Sequence, residues 1–246
     1  MPSNSHQPRK RFGQHFLHER RVLEKIVDAI APASTDFIVE IGPGEGALTR
    51  FLAGKANLEL VEIDRDLAAG LAAEYPDVAV HCGDALELDF TQFPAGMRVV
   101  GNLPYNVSTP LLFHLARYAG QVRDMHFMLQ LEVVERMVAA PSTPAYGRLS
   151  VSLQSKFRMK KLFKVASGAF RPPPKVESAF VRLEPLDWQL PIDEDLLRRA
   201  FSARRKTLRN ALPEIDFEAA GIDSGLRPEN LSPEDYARLS MTKGGP

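Results

Sequence analysis

Five short apolar runs punctuate the first 130 residues of the chain, and the segments between them restrict what it can fold into. FIVEIG, LELVEID, VAVHCG, MRVVGN and DMHFMLQ have strand length and read as strands buried on both faces, at least at their centres. Between them, GALTRFLAG, RDLAAGLAAEY and STPLLFHLARYAG have helix length and amphipathic spacing. Alternation of this kind predicts an α/β fold: a mostly parallel sheet with helices on both faces. KKLFKVAS and ESAFVRLEP, separated by the stiff RPPPK, read as antiparallel strands added at the sheet edge. Past EPLDWQLP the pattern is helical only. DEDLLRRAFSARRKTLRNAL and SPEDYARLS dominate, the latter with Ser232 as N-cap, Pro233 at the first helical position and Asp235 completing a capping box. The expected division is an α/β domain over 1–186, with a basic N-terminal arm, and a small helical domain over 187–246, with Trp188 packed at the junction.

Charge narrows the class of partner. The formal net charge is +0, yet the basic residues are segregated. From Arg148 to Val176 there are eight Lys or Arg and no acid; Arg198, Arg199, Arg204, Arg205, Lys206 and Arg209 form a second acid-free run, and Arg9, Lys10 and Arg11 a third cluster. Like charges concentrated on a neutral chain point to an external polyanion, and a nucleic acid fits that footprint. The single cysteine, Cys82, excludes a disulfide framework and a multi-cysteine zinc site; in VAVHCGD it reads as a buried, inert thiol, and no metal is expected. No apolar signal segment opens the sequence and no window has membrane-spanning length, so a cytoplasmic protein without a membrane partner is expected.

VEIGPGEGALT sets Gly42, Gly44 and Gly46 after a strand and before a helix, a loop that lets backbone approach a ligand with a helix N-terminus facing it. Taken alone, it fits a dinucleotide as well as S-adenosylmethionine. Glu62, at the end of the next strand, is placed to accept from ribose hydroxyls. The surrounding charge discriminates. Glu40, Glu45, Glu62 and Asp84 cluster at the predicted carboxyl ends of the strands, and no basic residue interrupts the glycine loop. Pyrophosphate would be repelled there, whereas the sulfonium and ammonium of S-adenosylmethionine suit an acidic rim. Asp84 is placed to accept from an adenine amino group.

The fourth apolar run ends unusually, in GNLPYNVSTPLL. Pro104 lacks an N–H and pushes Leu103 towards an extended backbone. The result is an acceptor-rich strand end, with the Asn102 amide oxygen beside the Leu103 carbonyl, followed by the Tyr105 ring. Those acceptors match the two N–H groups of a nucleobase amine, and the ring offers a stacking face. The alternative is a local turn capped by Asn.

At these residues the sequence resembles the small-subunit (16S) ribosomal RNA adenine N6,N6-dimethyltransferase family. The likeness runs from RKRFGQHFL through VEIGPGEGALT, VEIDRDLA, GDAL, GNLPYNVSTPLLFHL, MHFMLQLEVVERMVA, YGRLSV and FRPPPKVESAFVRL to FSARRKTLRN. It implies a Rossmann-like methyltransferase fold in which Gly42 and Gly44 line the S-adenosylmethionine site, Glu62 holds its ribose and Asp84 its adenine. His15 and Leu17 would cover the cofactor, His15 through its backbone, since many members have Asn there. Asn102 would touch both cofactor and target adenine, alongside Leu103 and Tyr105, with Phe170 on the far side of the base; a core-facing Phe170 is the alternative. The implied substrate is a pair of adjacent adenosines in a 3′-terminal hairpin of small-subunit rRNA within an assembling subunit. Each would receive two methyl groups from a monomeric enzyme whose basic clusters contact phosphates. Large-subunit rRNA methylases and non-catalytic mitochondrial transcription factors share this scaffold and stand as alternatives, with a dinucleotide-dependent oxidoreductase more remote.

Overall fold

The apolar runs and the two later strands assemble into one seven-stranded sheet. In the computed structural model, which describes residues 14–242, the first elements are β1 (Phe16–Leu17), α1 (Arg20–Ile30), β2 (Phe37–Ile41), α2 (Thr49–Leu52), β3 (Asn57–Glu62) and α3 (Arg65–Glu74). There follow β4 (Ala79–Cys82), β5 (Met97–Asn102), α4 (Ser108–Leu115), β6 (Val122–Gln130), α5 (Leu131–Met137) and α6 (Arg148–Gln154). The remainder comprises β7 (Phe157–Val165), β8 (Phe170–Arg171), β9 (Ser178–Pro185), α7 (Glu194–Ser202), α8 (Leu208–Ala211) and α9 (Pro233–Thr242). The sheet order is β4-β3-β2-β5-β6-β9-β7. β2 pairs in parallel with β3 and β5, as do β3 with β4 and β5 with β6, while β9 runs antiparallel to β6.

Strand position explains one departure from the sequence reading and puts the two later strands at the sheet edge, as expected. β4 is the sheet's edge, so VAVHC is only partly covered and Cys82 is exposed rather than buried. β9 inserts between β6 and β7, so the lysine-rich β7 takes the other edge, where charged side chains discourage further strand addition. A further helix, α1, escaped notice. Its Leu23, Ile26, Val27 and Ile30 recur at helical spacing and bury with Ile38, Leu60, Val100 and Phe180 in the core. A small β1–β8 pair, also unforeseen, sets Phe16 opposite Arg171 and Leu17 opposite Phe170.

The amino end of β5 carries a closed ion cluster. Buried Arg98 donates from Nε to both Asp124 oxygens (2.9 and 3.1 Å), from Nη1 to Asp36 (2.8 Å) and from Nη2 to the Ile30 carbonyl (2.6 Å). Burial alone would raise the Asp124 pKa, but His126 and Arg98 outweigh it and bring the carboxyl down to about 2.

Two compact units result: the chain to Val134 together with Lys160–Glu184, and Glu135–Met159 together with the chain from Pro185. In the second, Leu196, Leu197, Ala200, Leu208, Tyr236 and Leu239 form a core joined by Tyr146 and Val151. The Tyr146 and Tyr236 hydroxyls are satisfied by the Leu231 and Pro228 carbonyls (2.8 Å each). The capping box of α9 forms: the Ser232 N–H donates to Asp235 (2.8 Å) and the Asp235 N–H to Ser232 Oγ (3.2 Å). The long helical run expected before it is broken between α7 and α8, where the Leu208 N–H turns away to the Leu226 carbonyl (2.8 Å). Trp188, expected to be packed, is 80% exposed. Among the described residues no helix is long and apolar enough to cross a membrane.

Candidate active site

Strand order reverses direction between β2 and β5: the chain proceeds from β2 outward through β3 and β4, then returns to β5 on the other side. Open α/β sheets leave a crevice at the carboxyl ends of such a strand pair, because the following segments depart in opposite directions. A cavity of about 280 Å³ occupies that place. The glycine loop lies on one side of it and the Asn102–Tyr105 segment on the other, with Gln14–Leu17 completing the lining.

The loop differs from the expected form. Gly42, Gly44 and Gly46 all have left-handed backbones (φ 65°, 59° and 74°), so the chain winds through turns and α2 does not begin until Thr49. The four-residue helix is too short to aim a dipole at a ligand, so the loop presents backbone instead. Gly44 is doubly restricted: an added Cβ would also lie 2.9 Å from two carbons of the Phe16 ring, which closes over it.

Acids dominate the polar lining. Glu62 ends β3 almost fully buried and accepts from the Gly44 N–H (3.0 Å) and the Asp64 N–H (2.9 Å). Burial raises its pKa against the pull of those donors. Glu40, deeper still, accepts from Thr49 Oγ1 (2.8 Å) and is pushed up to about 8 by burial, with Glu62 adding repulsion. Asp84 accepts from the Leu86 N–H (2.9 Å), and exposed Glu45 lies at the lip. Among the described residues neither lysine nor arginine contributes to the lining. Carboxylates without cations, whose charge burial makes costly until a cation arrives, suit a positively charged ligand and disfavour a pyrophosphate. The residues present therefore fit S-adenosylmethionine.

The opposite wall is held by contacts distant in sequence. Asn102 Nδ2 donates to the His15 carbonyl (2.8 Å), which commits the amide's donor side and leaves Oδ1 as acceptor. The Leu103 N–H reaches the Met128 carbonyl (3.2 Å), whereas no N–H or side-chain donor among the described residues bonds the Leu103 carbonyl. Tyr105 Oη shares a 2.5 Å hydrogen bond with Ser178 Oγ, and burial raises the phenol's pKa. The His15 ring lies 5.4 Å from the Tyr105 ring, and its Nδ1 donates to the Pro172 carbonyl (2.7 Å). His15 thus contributes its side chain as well as its backbone.

The cavity brings together His15, Leu17, Gly42, Gly44, Glu62, Asp84, Asn102, Leu103 and Tyr105. Phe170 is not with them. Paired with Leu17 across β1–β8, it is 2% exposed within the core and is not among the residues that line the cavity. Three contributors went unnoticed in the sequence. Gly101, a glycine inside a strand, signals close backbone approach. Ser178 is a buried hydroxyl at the head of an apolar strand. Phe16, the lid over Gly44, follows His15 directly.

Comparison with known proteins identifies the group. Residues 5–243 match the profile described as ribosomal RNA adenine dimethylase. The chain belongs to that family. Its curated relatives include proteins named ribosomal RNA small subunit methyltransferase A from Aromatoleum aromaticum, 55% identical over 96% of this chain and 94% of the relative, and from Chromobacterium violaceum, 52% identical over 96% of each. Among solved structures, a dimethyladenosine transferase from Plasmodium falciparum superposes with a TM-score of 0.79 at 27% identity, covering 92% of this chain and 96% of that one. The 23S rRNA methyltransferase ErmE gives 0.69 at 26% identity over 92% and 98%. The protein is thus a dimethylase by family, with the mostly parallel sheet that the alternating pattern predicted.

Proposed function

We propose that this dimethylase transfers methyl groups from S-adenosylmethionine to the exocyclic amines of two adjacent adenosines in a 3′-terminal hairpin of small-subunit rRNA, within an assembling subunit. The observation that carries the reading is the pairing, in one cavity, of a cation-accepting acidic wall with an acceptor-rich wall built by Asn102 and Leu103. Relatives with small-subunit names at 50% identity or more, against 26% for the large-subunit enzyme, favour the small subunit.

S-Adenosylmethionine supplies an electrophilic methyl group on a positively charged sulfur. The chain's residues do the rest. Gly42 and Gly44 give close backbone approach, Glu62 accepts from ribose hydroxyls, Asp84 accepts from the cofactor's adenine amine, and His15 with Leu17 covers the site. Asn102 Oδ1 and the Leu103 carbonyl take the two N–H bonds of the target amine, which frees its lone pair from the ring and stabilises the positive charge that builds on nitrogen. The methylated ammonium then loses a proton to water, so no side chain need act as base. Tyr105, fixed by Ser178 and His15, supplies the stacking face. The helical unit contacts RNA phosphates through Arg205, Lys206 and Arg209, which are exposed. Arg204 is less available, since it donates to Glu229 and to the Pro144 carbonyl within that unit. The basic arm of Arg9, Lys10 and Arg11 lies outside the described residues. We place the reaction in the cytoplasm, with one chain sufficient because every described residue that lines the cavity belongs to one unit.

The test incubates the protein with labelled S-adenosylmethionine and small subunits lacking the modification. Dimethyladenosine in small-subunit rRNA is expected; label confined to large-subunit RNA, or absent, overturns the proposal. Asn102→Ala should lower turnover roughly 100- to 1,000-fold with RNA affinity nearly intact, the scale of losing one preorganised hydrogen-bonding group.

A further inference from the structure

Trp188 is the chain's single tryptophan, and 80% of it is exposed. Large aromatics are strongly favoured inside proteins, and an indole left in water forgoes more burial than any other side chain. Its loop is nonetheless fixed at both ends. The Leu186 N–H donates to the Lys156 carbonyl (2.8 Å) and the Leu190 N–H to the Ser155 carbonyl (2.9 Å). Leu186 and Leu190 are half-buried, so the flanking apolar residues anchor the loop and the ring is the part left outside.

The surroundings specify what it fits. The two carbonyls that clamp the loop belong to the turn between α6 and β7, which carries half-buried Lys156; exposed Arg158 follows two residues on, at the start of β7. That turn lies within the stretch Arg148–Val176, which contains no acid. On the loop itself Asp187 is the sole carboxylate between Leu186 and Ile192. A protein-binding hot spot would set the indole amid other exposed apolar groups, but its neighbours Asp187 and Gln189 are polar. An aromatic plane with cations at hand is instead the pattern that receives a base and its flanking phosphates.

We propose that Trp188 is a stacking platform for an unpaired nucleobase of the RNA substrate, with Lys156 and Arg158 neutralising the adjacent phosphates, at a contact separate from the methyl-transfer cavity. The inference rests on the RNA reading above and adds a second recognition point. All the groups it uses lie in the helical unit, whereas the cavity's lining belongs to the other.

Because no other tryptophan is present, the fluorescence of the full-length protein reports on this site alone. In the free protein, acrylamide should quench Trp188 readily. On titration with protein-free small-subunit rRNA, which contributes no tryptophan, emission should fall through base stacking and the remainder should become protected from acrylamide. Trp188→Ala should weaken RNA binding about tenfold, the scale of one stacked base, with Trp188→Phe restoring most of it and turnover on saturating subunits unchanged. Lys156→Ala with Arg158→Ala should instead flatten the dependence of log affinity on log salt by roughly 0.7 per lost contact. Emission already shielded in the free protein, unaltered by RNA, or protected only by intact subunits would overturn the proposal. The parental signal decides the matter even if a Trp188 variant misfolds. A silent Trp188 in a protein that methylates small subunits sinks this inference alone, whereas absence of methyl transfer by the parent sinks the functional reading.

Discussion

Replacing Gly101 with alanine tests whether the approach of β2 and β5 positions Asn102. Gly101 stands opposite Ile41 in the parallel register, one residue before Asn102. A Cβ there would lie 2.4 Å from the Ile41 carbonyl oxygen and 3.1 Å from Leu103 Cδ2. Ordinary van der Waals contact begins at 3.4 Å, so the two backbones must part by about 1 Å at this point. β3 and β6 flank the pair, and no rotamer change can move a carbonyl. Overpacking of a core costs about 1–3 kcal/mol, and backbone opposition places Gly101→Ala towards the upper end. At roughly 2–4 °C per kcal/mol for a chain of this size, calorimetry should show Tm lowered by about 5–10 °C. The displacement passes directly to Asn102, and a misplacement of about 1 Å is worth up to roughly 100-fold in turnover. Gly70→Ala is the control: it lies in α3, nothing comes within 4 Å of the added Cβ, and a gain of roughly 0.5–1 kcal/mol is expected. If Gly101→Ala matches the parent in both Tm and turnover, the close approach does not position the acceptor.

Three further outcomes follow from the same geometry. Glu40, near 4.5 when unfolded and about 8 when folded, binds an extra proton in the native state between those values, so the cofactor-free protein loses stability as pH rises through that window. Between pH 6 and 8 the parent should lose about 2–3 kcal/mol more than Glu40→Gln in urea unfolding, and equal losses would remove Glu40 as the source. Ser178→Ala should cost about 0.5–1.5 kcal/mol by removing the partner of the half-buried Tyr105 hydroxyl; in a double-mutant cycle with Tyr105→Phe, simple additivity would rule out the coupling. Neutralising Arg205, Lys206 and Arg209 should reduce the slope of log RNA affinity against log salt by about 0.7 per contact, whereas an unchanged slope would place those cations outside the interface.

The sheet was legible because strands buried on both faces leave continuous apolar runs, and those runs are properties of local sequence. Edge and centre are not. VAVHC reads as core, but only the pairing order exposes Cys82, and that order depends on which strand β3 accepts as its outer neighbour. Long-range pairing hid Phe170 in the same way: its partner Leu17 is more than 150 residues distant, and that contact buries its ring. The glycine loop shows a third limit. Its sequence announces a turn, but three successive left-handed glycines delay the helix that a simple strand–turn–helix reading starts immediately. The acceptor segment was readable in part, because Pro104 acts on its own neighbours. The groups that hold it, the His15 carbonyl and Ser178, are beyond any local window.

β5 joins two ends with opposite electrostatic characters. At its amino end Arg98 is enclosed by Asp36 and Asp124, every charge has its counterion, and Asp124 stays ionised well below neutral pH. At its carboxyl end β2 and, beyond it, β3 offer Glu40 and Glu62 with only neutral donors, and burial drives both pKa values upward. A sheet built for stability alone would gain by giving those acids a cation or replacing them with apolar residues. Retaining them leaves a desolvation cost in the empty protein that a bound cation recovers, a local cost of the kind that clusters at binding sites. The amino end is held by the Arg98 pairs, and at the carboxyl end Asn102 is held by its bond to the His15 carbonyl. A positively charged methyl donor completes that arrangement, which is why the acid distribution favours it over a pyrophosphate.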